Sequence, residues 1–497
     1  MSGMTTDPGS AAADAAAAAP SAAAPDACAA PNAPAATRAP AASATDAAGV
    51  APLAIDLPNA EDRAVMPAGF RALGAPIGIK RSGRPDFAVI ATTGAPAAAA
   101  GVFTRNAFAA APVRLTRAHL AETGGDGSAG SGWADAILST SGSANAATGA
   151  PGDADQGHLA GSLAAALGTT ADRTLAFSTG VIGTRLPVDR VTAAIAERIP
   201  GQLAASDEAL MAVARALLTT DSRPKWATVR LALPGADGTD VPVTVCGIAK
   251  GVGMIHPRMA TMLAVILTDA ATDPATLHGM LRGAAARTWD QLSVDGDTST
   301  NDSVLVLASG ASGAAPVHAG DPGAAALGRA IEAVARSLAR QQAADGEGAT
   351  TLVTCQVSGA RDDIDARGAA RAVISSSLVK AAVHGRDPNW GRIAGAVGNA
   401  QAAEAWVLEA AGLAAADAAV RAGTPVQVEP DRLRIAVAGQ PVYAGGPLPF
   451  DRDAARAAMT AGEVLIRLDL GVGDGTGEAF GCDLTEAYVR ENAEYTT

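Results

Sequence analysis

Apolar positions in this chain fall into short dense runs that alternate with longer, helically spaced stretches. Residues 87–91, 136–138, 228–232 and 241–245 are brief apolar or β-branched runs with turn residues around them, a pattern that predicts strands. Residues 159–167, 188–198, 206–218 and 324–343 carry apolar residues at the spacing of a helix face. Residues 262–268 and 303–307 are apolar but for Thr268 and Ser303 at their ends, as expected of strands covered on both faces. Between them, residues 274–285 predict a helix opened by the Asp273-Pro274 turn. Interleaved strands and helices give a mixed α/β class, while the order of strands in the sheets is left open. The chain shows no internal repeat.

Composition narrows the picture in three places. Of 497 residues, 48% are hydrophobic but only 3% aromatic, so Ala, Val, Ile and Leu must fill a core large enough for two to four domains. No window of about 18 strongly apolar residues suggests a membrane span. A net charge of −13 argues against a nucleic-acid footprint and against docking on anionic membranes. The four cysteines, Cys28, Cys246, Cys355 and Cys482, are too sparse for a disulfide framework. None forms a Cys-x-x-Cys pair and no histidines stand at ligand spacing, so buried reduced thiols in a cytoplasmic protein are expected, with no metal site.

Residues 1–52 differ from the rest. They are mostly Ala with Pro, Ser, Thr and Asp, and cannot bury enough surface to offset the entropy of ordering. We expect a disordered extension there. It lacks the basic start and the Leu/Ile/Val-rich stretch of a secretory signal, and Arg38 is its only basic residue against four aspartates, unlike a mitochondrial transit peptide.

The chemistry concentrates in Lys250-Gly-Val-Gly-Met-Ile-His-Pro-Arg-Met-Ala-Thr-Met-Leu263. A threonine hydroxyl is a weak nucleophile without a nearby base. Breaking the Ala260–Thr261 bond would give Thr261 a free amine about 3 Å from its own hydroxyl, with a reference pKa of about 7.7–8. Gly251 and Gly253 would allow the tight backbone that brings the hydroxyl onto the preceding carbonyl. Locally, the same residues also fit a glycine loop that enters a buried strand with an incidental threonine.

This segment resembles the processing site of the ornithine acetyltransferase family, the ArgJ-type glutamate N-acetyltransferases of arginine biosynthesis. The family usually carries Asn where Arg258 stands. Further matches run in family order: Phe177-Ser-Thr-Gly-Val-Ile-Gly183, Thr219-Thr-Asp-Ser-Arg-Pro-Lys225, Val294-Asp-Gly-Asp-Thr-Ser-Thr-Asn-Asp302, Asp345-Gly-Glu-Gly-Ala-Thr350, His384-Gly-Arg-Asp-Pro-Asn-Trp-Gly-Arg392, Gly475-Thr-Gly-Glu-Ala-Phe-Gly-Cys-Asp-Leu-Thr485 and Asn492-Ala-Glu-Tyr-Thr-Thr497. The resemblance covers residues 67–497. It implies the α-β-β-α layered fold shared with the DmpA-type aminopeptidases, similar to N-terminal nucleophile hydrolases, with the cleft between two main lobes.

It also implies roles. Thr261 would be the nucleophile and Ala260–Thr261 the bond cleaved, giving an alpha-chain part (residues 53–260) and a beta-chain part (261–497). Thr179 and Gly180 would form the oxyanion hole. Lys250, Glu347, Asn492 and Thr497 would contact substrate, together with Thr219 or Thr220, of which Thr219 is favoured. His256 and His384 are expected in core or loop roles. The implied activity moves acetyl from N2-acetyl-L-ornithine to L-glutamate. Some members also accept acetyl-CoA as co-substrate, no metal or bound organic cofactor is implied, and the fragments would assemble as an α2β2 heterotetramer. Two rival readings are an N-terminal-threonine amidase or aminopeptidase, with water as acceptor, and an unprocessed inactive paralogue.

The cleavage hypothesis, motivated by Ala260–Thr261 after the Gly-rich loop, has a direct check. Intact-mass analysis should find two fragments, 1–260 and 261–497, in the native protein and one 48.8 kDa chain in Thr261→Ala. An uncut native chain that turns over acetylornithine would sink it.

Overall fold

A computed structural model describes residues 50–125, 130–256 and 262–494. Ala260, Thr261, Thr497 and nearly all of the N-terminal extension therefore lie outside the described residues. The three residues of the 1–52 segment that are described include Val50, which is buried.

Three sheets organise the chain. The first runs edge to edge as Phe70–Ala75, Phe87–Thr92, Ala136–Ser143 and Thr174–Val181. The second is Ser131–Ala134, Ala97–Phe103, Ser303–Ala308, Leu263–Thr268, Asp240–Lys250 and Lys225–Pro234. The third is Leu292–Ser293, Gly475–Cys482, Leu352–Ala360, Glu463–Asp469, Arg434–Val437 and Gln440–Ala444.

Alternation along the strands builds the layers. In the first sheet Val89 and Leu138 face Leu159 and Leu163 of the helix Gly149–Leu167 and Val191 and Ile195 of Val188–Gln202. Its opposite face, with Ile90, Ile137 and Phe177, meets Val265, Leu267 and Leu305 of the second sheet. Helices Ala111–Gly124 and Asp207–Leu217 add Leu120 and Val213 to that layer. The intervening residues Ala264, Ile266, Val304 and Val306 point the other way, onto helices Pro274–Arg287 and Pro322–Ala344. This is the expected α-β-β-α sandwich. The third sheet joins it through Leu352 and Phe480, and covers its far side with helix Asp363–Ser375.

Each strand anticipated from the sequence is present, mostly longer than its apolar run. The run at 136–138 continues to Ser143, because a polar Ser-Thr-Ser-Gly-Ser end still pairs in a ladder. The helix expected at 159–167 starts at Gly149, where Pro151 fits the first turn but no apolar spacing announces a helix. No helix of the described residues is long and apolar enough to cross a membrane. Cys246, Cys355 and Cys482 are free and buried, and burial pushes each thiol up from its ordinary value.

The strand Leu263–Thr268 lies inside the second sheet, parallel to Ser303–Ala308 and antiparallel to Asp240–Lys250. Ile266 has no exposed surface. Ile266→Ala should lower the unfolding free energy by about 2–5 kcal/mol, read as a drop in the denaturant midpoint at constant slope. A change under about 1 kcal/mol would contradict tight packing at this layer.

Candidate active site

Near the end of the first sheet's strand Thr174–Val181, Thr179 and Gly180 lie beside Ser141, Gly142 and Ser143 of the parallel neighbouring strand. Gly180 has φ +128°, and a β-carbon there would lie 2.3 Å from the Gly142 carbonyl carbon. Only glycine combines that backbone with that approach. Asn301 braces the turn: its Nδ2 donates to the carbonyls of Ala144 at 2.7 Å and Ser178 at 2.8 Å.

A second segment follows helix Asp207–Leu217. Lys80 Nζ donates to the Leu218 carbonyl at 2.6 Å, fixing the backbone just before Thr219. Burial pushes the Lys80 ammonium down to about 8, with Asp86 opposing the shift. Thr219 Oγ1 accepts from Lys250 Nζ at 2.7 Å. Lys250 closes strand Asp240–Lys250 and is paired with Leu263 across the sheet. The start of the Leu263–Thr268 strand is held from its other side too, where Ser303 N–H donates to the Met262 carbonyl at 2.9 Å.

Glu347 follows helix Pro322–Ala344, and its N–H donates to the Val252 carbonyl at 2.8 Å. Its carboxylate accepts from Thr220 Oγ1 at 2.7 Å on one oxygen and from Asn492 Nδ2 at 3.0 Å on the other. Asn492 sits on helix Glu486–Ala493, whose Thr485 cap accepts the Tyr488 N–H and donates to the Gly348 carbonyl at 2.7 Å. The C-terminal helix is thereby tied to the Glu347 loop.

These segments enclose one cavity of ≈ 170 Å³. Thr179, Gly180, Thr219, Lys250, Glu347 and Asn492, all singled out from the sequence, line it together. Ala260, Thr261 and Thr497 lie outside the described residues, so the structure is silent on them. Thr220, Thr300 and Asn301 also line the cavity. Thr220 is the alternative to Thr219 raised from the sequence, whereas Thr300 and Asn301 were not singled out, although both fall within a run that resembles the family. Beneath the cavity, Asp221 and Lys225 form a buried ion pair at 2.8 Å. His256 Nδ1 lies 3.0 Å from Ser293 Oγ, and His384 Nδ1 lies 3.3 Å from Asp483 Oδ2; neither lines the cavity.

A lysine, a carboxylate and several hydroxyls surround this small space, at the mouth of a central strand in a mixed α/β protein. The chain belongs to the ArgJ family, whose model matches residues 71–497. It is 43% identical over 432 residues to the Arginine biosynthesis bifunctional protein ArgJ of Thermus thermophilus, spanning 87% of this chain and 99% of the relative. The protein of the same name from Deinococcus radiodurans is also 43% identical, over 87% of this chain and 97% of its own. Among solved structures, the crystal structure of Arginine biosynthesis bifunctional protein argJ from Bacillus halodurans is 36% identical. It covers 46% of this chain and 96% of its own, with a TM-score of 0.40.

Gly253 presses on this arrangement from one side. A β-carbon there would lie 2.2 Å from Glu347 Oε2, so Gly253→Ala must displace the carboxylate from Thr220 and Asn492. We expect KM for an amino-acid substrate to rise about tenfold with kcat largely kept, since tenfold is about 1.4 kcal/mol of binding. An unchanged KM in steady-state kinetics would show that Glu347 is not needed where it stands.

Proposed function

We propose that this chain is an acetyltransferase of arginine biosynthesis that carries acetyl from N2-acetyl-L-ornithine to L-glutamate on Thr261, with acetyl-CoA as a second donor. The observation that carries this reading is the gathering of Lys250, Glu347, Thr179 and Gly180 at one cavity, in a chain of the ArgJ family. The strand beside it, Leu263–Thr268, begins two residues after Thr261. The relatives are named arginine biosynthesis bifunctional proteins, which supports two activities within that process.

In the proposed processing step, Thr261 Oγ attacks the Ala260 carbonyl carbon, the C–N bond breaks, and the Thr261 nitrogen leaves as an amine. Water then hydrolyses the ester, freeing the Ala260 carboxylate and the Thr261 hydroxyl. In turnover the same hydroxyl attacks the acetyl carbon of acetylornithine while the Thr261 amine takes its proton. Charge then develops on the acetyl oxygen. The Thr179 hydroxyl and Gly180 N–H are the proposed donors to it, and one such donor is worth roughly 2.7–4 kcal/mol. The amine returns the proton to the departing ornithine nitrogen. Glutamate's amine next attacks the acetyl ester, giving N-acetylglutamate and restoring the hydroxyl.

Lys250 supplies the cation for a substrate carboxylate and Glu347 the anion for a substrate amine. Each Glu347 oxygen already accepts one hydrogen bond, and a carboxylate offers about four lone-pair sites, so a further donor can be accommodated. Assembly of the two fragments as α2β2 is part of the same proposal.

One hydroxyl serving two amines in turn requires ping-pong kinetics. Brief incubation with acetylornithine alone should add one acetyl mass to the 261–497 fragment, and release of ornithine beyond one equivalent should need glutamate. Thr179→Ala should lower kcat about a hundredfold or more with little change in KM. Steady ornithine release without glutamate would favour the amidase reading, and a Thr179→Ala effect confined to KM would remove Thr179 from the oxyanion role.

A further inference from the structure

Asp221 stands where three segments of the site meet. Its side chain is fully enclosed, and Oδ1 accepts from Lys225 Nζ at 2.8 Å and from the Gly251 N–H at 2.7 Å. Oδ2 lies 3.7 Å from Lys250 Nζ. Lys225 also has no exposed side-chain surface; it donates to Asp345 Oδ2 at 2.7 Å and to the Arg223 carbonyl at 3.2 Å. Asp345, two residues before Glu347, accepts the Ser222 N–H at 3.1 Å. Of these four charges, only Lys250 lines the cavity.

Enclosed charges are costly unless compensated. Two lysines and two aspartates balance here, but their geometry does more than balance. Asp221 is shared: Lys225 grips one oxygen, while the other accepts the Thr219 N–H at 3.2 Å and faces Lys250 as an ion pair. The Gly251 contact fixes the turn by which the chain leaves Lys250, at a glycine with φ +132°.

We propose that Asp221 is a positioning residue for acyl transfer: held by Lys225, its carboxylate aims Lys250 at the cavity. This rests on Lys250 being the substrate-binding cation. Lys250 is faced by Asp221 and Lys225 from the 219–225 segment, by Glu347, by Asp302 ahead of strand Ser303–Ala308, and by Lys80. Burial pushes its ammonium below the ordinary lysine value; Asp221 is the foremost group opposing that, and Lys225 deepens it. Removing either charge should therefore move Lys250 in opposite directions. A merely structural pair would lose stability in both cases and move nothing else.

The test is the alkaline limb of kcat/KM for acetylornithine in the native enzyme, Asp221→Asn, Lys225→Met and the double variant, each with its melting temperature. Asp221→Asn should shift the limb down by about one pH unit, a tenfold loss in kcat/KM above it, with KM rising more than kcat falls. Lys225→Met should shift it upward. The double variant loses one charge of each sign and should return the limb near the native position, and it carries the test if one single variant does not fold. Limbs that coincide with the native one in the folded variants overturn the proposal. A native enzyme with no acetylornithine turnover would instead overturn the reading of the site beneath it.

Discussion

Everything at the candidate site is referenced to one strand that is buried on both faces. In Leu263–Thr268, Val265 and Leu267 pack towards the first sheet, while Ala264 and Ile266 pack towards helices Pro274–Arg287 and Pro322–Ala344. A strand held this way cannot slip by one residue, because a slip would exchange its two faces. Its start is fixed further by pairing with Lys250 on one side and Ser303 on the other. The strand thus gives a rigid origin from which the surrounding loops can be placed to within fractions of an ångström, as acyl transfer requires.

The loops that converge on that origin are held by charge. Burial would raise the Asp221 carboxyl, yet Lys250, Lys225 and the Gly251 N–H hold it well below the usual carboxylate range. Hydrogen bonds to an ionised carboxylate strengthen where solvent is excluded. Apolar packing could not do the same task, since it is non-directional and would leave Lys250 without a counter-charge. The layers therefore supply rigidity and the ion network supplies aim.

How much of this is legible in the sequence depends on the physical signal each part leaves. Buried strands such as Leu263–Thr268 and Ser303–Ala308 declare themselves by runs of five apolar residues. The third sheet does not: Gly475–Cys482 contains three glycines, and Glu463–Asp469 is a short apolar stretch broken by Arg467 and bounded by Glu463 and Asp469. Lys250 and Glu347 stand out only through resemblance, because a lysine before a glycine loop and a glutamate between glycines are ordinary on a surface. Lys225 leaves no local trace of burial at all. Besides Asp221, its enclosure needs Asp345, 120 residues away, a pairing no spacing rule encodes. The choice between Thr219 and Thr220 is similar: both hydroxyls reach the cavity, one bonded to Lys250 and the other to Glu347.

The sheet order also explains how such a chain could tolerate a cut beside its central strand. Ser131–Ala134, Ala97–Phe103, Asp240–Lys250 and Lys225–Pro234 precede the Ala260–Thr261 bond, whereas Leu263–Thr268 and Ser303–Ala308 follow it. The two later strands lie between earlier ones on both sides, so the two parts share one sheet and the cores above and below it. Separating them would break the ladders between Ala97–Phe103 and Ser303–Ala308 and between Asp240–Lys250 and Leu263–Thr268, and would expose both apolar layers. Cleavage at the mouth of such a strand removes a covalent link without removing a structural one.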